Sequence, residues 1–292
     1  MSWQLVEKPA TAAVRNGCQA TSLTRLAGCQ AAESAKLADI PCFAPVEINE
    51  ALFATLHVYL DDAAHSAAMN MAIDEGLLER AAVPSIRFYR WQSRALSFGY
   101  FGKFSDVAIY AGERDLVRRW TGGGIVLHGE DLTYSIVIPS SDPAFGQPSL
   151  AIYEKIHRAL ARSLNAIGEH AVVAGGVDPG DSRKGVAPTV ADRRSLEPVV
   201  SASGYNCFAN PVRADVMIDG RKIAGAAQRR TRRGLLQQGS IQGVNLDNRF
   251  ADRFANALSS NCSRFEVTEE IFQRAQELAL GKYGNTAWLR KR

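Results

Sequence analysis

From Leu56 onward the chain switches between two hydrophobic periods, and the switches predict most of its elements. Between Ser66 and Arg80, Met69, Ile73 and Leu77 recur every fourth residue with Ala72 and Gly76 beside them, which predicts an amphipathic helix. Ser85 to Trp91 sets Ile86, Phe88 and Arg90 against Arg87, Tyr89 and Trp91, the alternation of a strand. Ile125–Leu127 and Leu132–Ile138 read as two more strands. Ile152, Ile156, Leu160, Leu164 and Ile167 predict a second helix, with Ser149 as its cap and Gly168 at its end. Val216-Met217-Ile218 and Arg221-Lys222-Ile223-Ala224 flank Asp219-Gly220, a dipeptide that favours the tight turn of a hairpin. Leu235–Val244 reads as a further strand, and Thr268 opens a last helix with Glu269 and Glu270 at its positive end. Gly175–Ser203 carries Gly, Pro, Asp, Ser and Arg without period and reads as a surface loop. Strands that come partly as hairpins and partly between helices predict an α+β fold. Its sheet is expected to be mixed, largely antiparallel and flanked by helices.

Residues 1–52 differ from the rest. They are rich in Ala, Thr and Ser and lack sustained periodicity, which predicts an N-terminal extension, possibly disordered, ahead of one large domain over 53–292. Short helical pieces are expected around Ser22–Leu37, ending before Pro41. Composition adds exclusions. A formal charge of +4 is too small to imply nucleic acid. No apolar run approaches the roughly 20 residues of a membrane helix, and the N-terminus does not read as a signal peptide. Cys18, Cys29, Cys42, Cys207 and Cys262 are odd in number and show no metal-ligand spacing, so neither a disulfide framework nor a metal site is expected. A reducing cytoplasm is the expected compartment.

The candidate chemistry begins at Arg118-Arg119-Trp120-Thr121-Gly122-Gly123-Gly124-Ile125-Val126-Leu127-His128. Three consecutive glycines let a ligand lie against the backbone, and two arginines bring fixed positive charge to the same place. No Gly-Lys-Ser/Thr follows, so the segment is not a phosphate loop. A flexible, solvated turn is the bland reading of such a stretch taken alone.

Four further segments stand with it: Asn70–Glu75, Ala95–Phe101, Gly220–Arg230 and Gln237–Ile241. In order and spacing they resemble the lipoate–protein ligase and octanoyltransferase family. Its hallmark is Arg-Arg-x-Ser/Thr-Gly-Gly-Gly-x-Val-x-His followed later by Gly-x-Lys-(Val/Ile)-x-Gly-x-Ala, and the resemblance covers about residues 56–290. It implies the fold of a class II biotin-protein-ligase catalytic domain. It also implies an acyl-binding groove lined by Arg119, Thr121, Gly122, Gly123 and Gly124, with His128 at its edge and Ser97 and Gly99 alongside. Lys222 would face the acyl carbonyl. The sequence departs from the family at Gly102, where Gln is usual, and at Gln238, where His is common.

Two chemistries run on such a fold. Cys207, in Tyr205-Asn206-Cys207-Phe208-Ala209-Asn210-Pro211, precedes Lys222 by 15 residues. The cysteine-dependent octanoyltransferases are similar at this point, which implies that Cys207 takes an octanoyl or lipoyl group from an acyl carrier protein thioester. It would then pass that group to a lysine of a lipoyl domain, on a glycine cleavage H protein or a 2-oxoacid dehydrogenase E2 subunit. That route needs no cofactor. The alternative is an ATP-dependent lipoate–protein ligase, using ATP and Mg and the same Lys222, with a separate accessory chain; the sequence ends soon after Trp288, without room for the extra domain. Asp215 matches an acidic position that ligases retain. Amidotransfer between lipoyl proteins, or a non-catalytic acyl- or carrier-binding module, completes the set.

Arg229 and Arg230, with Arg232 and Arg233, either dock an acidic carrier or its phosphopantetheine phosphate, or form the solvated end of a strand. Asp74 and Glu75 read equally as ion-pair or helix-dipole residues and as functional ones. Cys18, Cys29, Cys42 and Cys262 read as inert.

Overall fold

The computed structural model describes residues 51–175 and 211–291. The N-terminal expectations for residues 1–50, most of the 175–203 loop, and Cys207 therefore lie outside the described residues. In chain order the elements are β1 (Leu56–His65), α1 (Ala67–Arg80), β2 (Ser85–Trp91), β3 (Ala95–Phe98), β4 (Asp115–Arg118), β5 (Ile125–His128) and β6 (Leu132–Pro139). There follow α2 (Ser149–Asn165), β7 (Ala171–Val173), β8 (Val216–Ile218), β9 (Arg221–Arg230), β10 (Gly234–Ile241), α3 (Phe250–Leu258), β11 (Cys262–Phe265), α4 (Glu269–Leu278) and α5 (Thr286–Leu289).

The large sheet runs β11-β1-β2-β6-β10-β9-β8-β7, and a small one runs β4-β3-β5. β1 is parallel to both its neighbours, while every other adjacent pair of the large sheet is antiparallel. The expected mixed, largely antiparallel α+β architecture is thus what the chain builds. The hairpin at Asp219-Gly220 forms with both residues at positive φ, 49° and 75°, the pairing that a two-residue turn between twisted strands requires.

Both faces of the large sheet are covered, and the alternation along each strand sorts side chains between two cores. Ile86 and Phe88 join Tyr134, Ile136, Leu235 and the helices α2 and α3 on one face. Tyr89 and Trp91 join Val137, Leu236 and the helices α1 and α4 on the other. A strand covered on both sides shows hardly any exposed position; only Arg90 of β2 is exposed.

Helix α1 departs from its expected amphipathicity. Ten of its fourteen residues are buried, Asn70, Asp74 and Glu75 among them, because α4 covers the side that periodicity assigned to solvent. Ser66 caps it by accepting from the Met69 amide. Ser149 is the first residue of α2 rather than its cap, a place taken by Pro148 without a side-chain bond. Helix α3 was not anticipated, its nine residues being short for a periodic signal. The helix opened by Thr268 is not the last, since α5 follows it.

His157 of α2 shows how tightly the first core is sealed. Its Nδ1–H donates to the Ala214 carbonyl and its Nε2 accepts from the Tyr134 hydroxyl at 2.9 Å. Burial lowers the imidazole from 6.5 to about 4. The unfolded chain therefore binds a proton that the folded chain refuses, so this contribution is present above pH 6.5 and is lost as pH falls towards 4. It amounts to about 3 kcal/mol over that interval. Urea midpoints at pH 7 and pH 4.5 are expected to show a shallower acid loss for His157→Gln than for wild type; equal slopes would contradict this account.

Candidate active site

Antiparallel register places Thr133, Ser240 and Gly225 in one cross-strand row of β6, β10 and β9, and Ser135, Gln238 and Ala227 in the next. Small residues here leave space between the large sheet and the small one. The space is a cavity, partly open to solvent, lined by Met71, Tyr89, Trp91, Ser97, Arg119, Val126, His128, Thr133, Lys222, Gly225, Ala226, Ala227, Gln238, Gly239 and Ser240. Its lining is largely apolar, with a few polar groups at fixed positions, the usual make-up of a small-ligand site.

Lys222 and Arg119 are the two buried cations that line this cavity. Lys222 Nζ lies 2.8 Å from Asp215 Oδ2, with both side chains almost completely buried. The ammonium reaches this place by folding back along its own strand. A Cβ built on Gly225 would stand 2.4 Å from Lys222 Cε and 2.6 Å from its Nζ, so the second glycine of the lysine motif is the floor on which the lysine lies. Asp215 is itself fixed: its carboxylate accepts from Tyr153 Oη at 2.7 Å and from the Val212 amide at 2.7 Å. Tyr153 Oη in turn accepts from the Ala226 amide at 3.0 Å. Ala214, just before Asp215, takes φ of 69°, a left-handed conformation unfavourable for a residue with a Cβ. Bonds to Ala174 and His157 hold it there, which aims Asp215 at the lysine. Tyr153 carries no motif signature, and it was not among the helix positions that the periodicity singled out.

The two adjacent arginines separate rather than reinforcing each other. Arg118 is fully buried and donates to the carbonyls of Tyr100, Gly102, Trp288, Leu289 and Lys291, clamping the C-terminal segment onto the small sheet. Arg119 turns to the other side. It donates to Ser97 Oγ at 2.6 Å and to the carbonyls of Gly122 and Gly124, at 3.0 and 2.9 Å, and so shapes the glycine loop from within. Gly123 sits at φ 84°. Gly99 is buried so closely under this loop that a Cβ on it would meet the Gly123 carbonyl at 2.0 Å. Thr121 Oγ1 donates to Gln238 Oε1 at 2.9 Å, tying the loop to β10.

Among the residues expected at the groove, Ser97, Arg119, His128 and Lys222 line the cavity together, while Thr121, Gly99 and Gly122–Gly124 form the wall behind it. His128 Nε2 accepts from Ser97 Oγ and its Nδ1–H donates to Asp131 Oδ2, both at 2.7 Å. The ring stacks on Trp91 with centroids 4.0 Å apart. Burial lowers the His128 pKa despite Asp131, so the imidazole is neutral at pH 7. Burial opposes ionisation of Asp131, but hydrogen bonds from His128, Gly129 and Ser240 outweigh it and hold the carboxyl at about 2. Asp131 therefore organises a polar end of the cavity.

Gln238, where a histidine was the familiar residue, has a role the sequence did not show. Its Nε2 donates to Asp74 Oδ2 at 2.7 Å while its Oε1 accepts from Thr121, a bridge from α1 to the glycine loop. Asp74 and Glu75 are ion-pair residues: Asp74 pairs with Arg87, and Glu75 pairs with Lys282 and accepts a hydrogen bond from the Tyr283 hydroxyl. Both lie mid-helix, away from the helix N-terminus. Arg230 donates to the carbonyls of Phe145 and Gln147, both at 2.7 Å, and lies over the Phe145 ring. Arg233 pairs with Glu79. Among the described residues no cluster of three His, Cys, Asp or Glu side chains is placed to hold a metal ion, and no helix is long and apolar enough to cross a membrane.

A mostly apolar cavity between two sheets, with one buried lysine anchored on a carboxylate, suits a ligand with an apolar chain and one polar group. Residues 66–274 match the family described as the lipoyl protein ligase A/B catalytic domain, and the chain belongs to that family. It is 31% identical to octanoyltransferase LipM of Macrococcus caseolyticus over 274 residues, covering 76% of this chain and 94% of that protein. Octanoyltransferase LipM of Bacillus cereus is 30% identical, with 79% and 96% covered. A crystal structure of lipoate-protein ligase A bound with ATP has the same fold, with a TM-score of 0.59 at 21% identity over 81% of this chain and 98% of that one.

Gly225→Ala is expected to displace the Lys222 ammonium while leaving the sheet in place. Misplacement of a reacting group by about 1 Å costs on the order of 100-fold. Acyl-transfer turnover should fall by about that factor, accompanied by a lower melting temperature because the buried Lys222–Asp215 pair is disturbed. Wild-type turnover in the variant would show that the lysine need not lie across residue 225.

Proposed function

We propose that this chain is an octanoyltransferase that moves an octanoyl group from an acyl carrier protein thioester to a lysine of a lipoyl domain. The observation that carries the reading is the Lys222 ammonium, fixed by Asp215 beside an apolar cavity, in a chain about 30% identical to octanoyltransferases over most of its length. The catalytic unit is taken as residues 53–292. Cytoplasm suits the reaction, because a cysteine nucleophile must stay reduced. No nucleotide or metal is required.

Cys207 is the proposed nucleophile. Its thiolate attacks the thioester carbonyl, a carbon–sulfur bond forms, and charge collects on the carbonyl oxygen. A preorganised ammonium in a dry site stabilises that charge far better than water does, and this is the role assigned to Lys222. The bond to the pantetheine sulfur then breaks, and that thiolate leaves and takes up a proton. In the second half the neutral amine of the acceptor lysine attacks the acyl-cysteine. The amide forms, the amine proton is lost and the Cys207 thiolate is restored. Thioester exchange is nearly balanced in energy, and a thiolate is both a strong nucleophile and a good leaving group. The cavity holds the aliphatic chain, with Arg119 and the glycine loop shaping one wall and His128 and Ser97 its polar end. The acceptors are the lipoyl domains of glycine cleavage H protein and 2-oxoacid dehydrogenase E2 subunits.

Intact-mass measurement after mixing with octanoyl-carrier protein, without ATP, tests the reading. Wild type is expected to gain a hydroxylamine-labile octanoyl adduct that Cys207→Ser does not. Absence of the adduct, with lipoyl-domain acylation appearing only from free octanoate plus ATP and Mg, would replace the transferase with an ATP-dependent ligase.

A further inference from the structure

Arg229 differs from every other arginine discussed above. Arg118 and Arg230 spend their forks on backbone carbonyls, and Arg119 on a hydroxyl and the glycine loop. Arg229 instead rests against two aromatic rings, 5.2 Å from the centroids of Tyr100 and Trp120. Its Nε is shielded from solvent and has no hydrogen-bond partner, and among the described residues no carboxylate pairs with it. Stacking satisfies the faces of a guanidinium and leaves its edge donors in need of acceptors.

The surroundings add positive charge. Lys282 Nζ stands 4.3 Å from the centroid of the same Trp120 ring. Lys291 Nζ stands 4.7 Å from the Tyr100 centroid and donates to its hydroxyl at 2.6 Å. Three cations thus share two rings, and the carboxylates beside them are already engaged: Glu75 pairs with Lys282 and accepts from Tyr283, and Glu79 pairs with Arg233 and Arg274. Such a cluster is arranged for an anion.

Its position relates it to the cavity. Gly225, Ala227 and Arg229 alternate onto one face of β9, and the first two line the cavity. The Lys222 ammonium lies across Gly225, so Arg229 stands four residues further along the strand, about 13 Å by strand rise. A thioester carbonyl at Lys222 and an anion at Arg229 are therefore separated by a distance that an extended pantetheine chain spans.

We propose that Arg229, with Lys282 and Lys291, binds the phosphate of a phosphopantetheinyl acyl donor. The proposal rests on the acyl-transfer reading for the source of the phosphate, and a guanidinium fork suits phosphate oxygens. It separates Arg229 from Arg230, which is a structural clamp.

The test is a titration followed by tryptophan fluorescence, with Trp120 and Trp288 as the reporters beside the site. The probes are 4′-phosphopantetheine, pantetheine and AMP. Wild type is expected to bind phosphopantetheine at least about tenfold more tightly than pantetheine. Arg229→Met should remove that preference, and Arg229→Lys should keep part of it. Equal affinity of wild type for the two pantetheines would overturn the proposal, as would a preference that survives Arg229→Met. AMP binding that depends on Arg229, without phosphopantetheine binding, would overturn it in favour of a nucleotide. No turnover is needed, so loss of the octanoyl adduct and loss of phosphate selectivity are separate results.

Discussion

The Asp74 carboxylate, fully buried in the middle of α1, is the interaction on which the rest of the site depends. It accepts from Arg87 Nη1, Tyr89 Oη, Ser135 Oγ and Gln238 Nε2, at 2.7 to 3.0 Å, and so ties one helix to β2, β6 and β10 at once. A buried carboxylate is tolerable only when its oxygens are fully engaged, and removing one partner of such a pair typically costs about 3–5 kcal/mol. Arg87 is itself completed by Asp61 and Asn70. Because Gln238 is the fourth donor and also accepts from Thr121, the glycine loop inherits its place from this knot.

Close packing against the backbone is the second constraint, and glycine permits it under the loop and on β9. Under the loop, Gly99, just past β3, lies against the Gly122–Gly123 backbone without a side chain between them. On β9, Gly225 gives Lys222 a surface to lie on. The lysine then points along the cavity rather than across the sheet. Tyr153 and Asp215 complete the arrangement from α2 and from the turn before β8. Each group near the reacting centre is thus held by a second residue whose own hydrogen bonds are satisfied, as a preorganised electrostatic site requires.

The polar end around His128 and the basic cluster around Arg229 divide the work differently. Ser97, His128, Asp131 and Ser240 satisfy one another, so they form a rigid, neutral-to-anionic wall. Among the described residues Arg229 Nε has no hydrogen-bond partner, and the guanidinium lies beside two ring faces.

Much of the fold was legible in the chain, because strand alternation and helix period are local consequences of burial. β2, β5, β6, the Asp219-Gly220 hairpin and α2 all fall where those periods placed them. The motif residues were legible too, since Arg119, the three glycines, His128 and Lys222 announce themselves by type and spacing. What each does was decided only in three dimensions. Local pattern assigned a solvent face to α1 because α4, distant in sequence, is what covers it. Arg118 and Arg119 look equivalent as neighbours, yet strand alternation sends one to the C-terminal carbonyls and the other to the glycine loop. Gln238, Tyr153 and Asp131 acquire their roles from partners 3 to 164 residues away. Sequence by itself determined which residue types were available. The tertiary structure decided which of them meet, because a hydrogen bond depends on distance in space rather than along the chain.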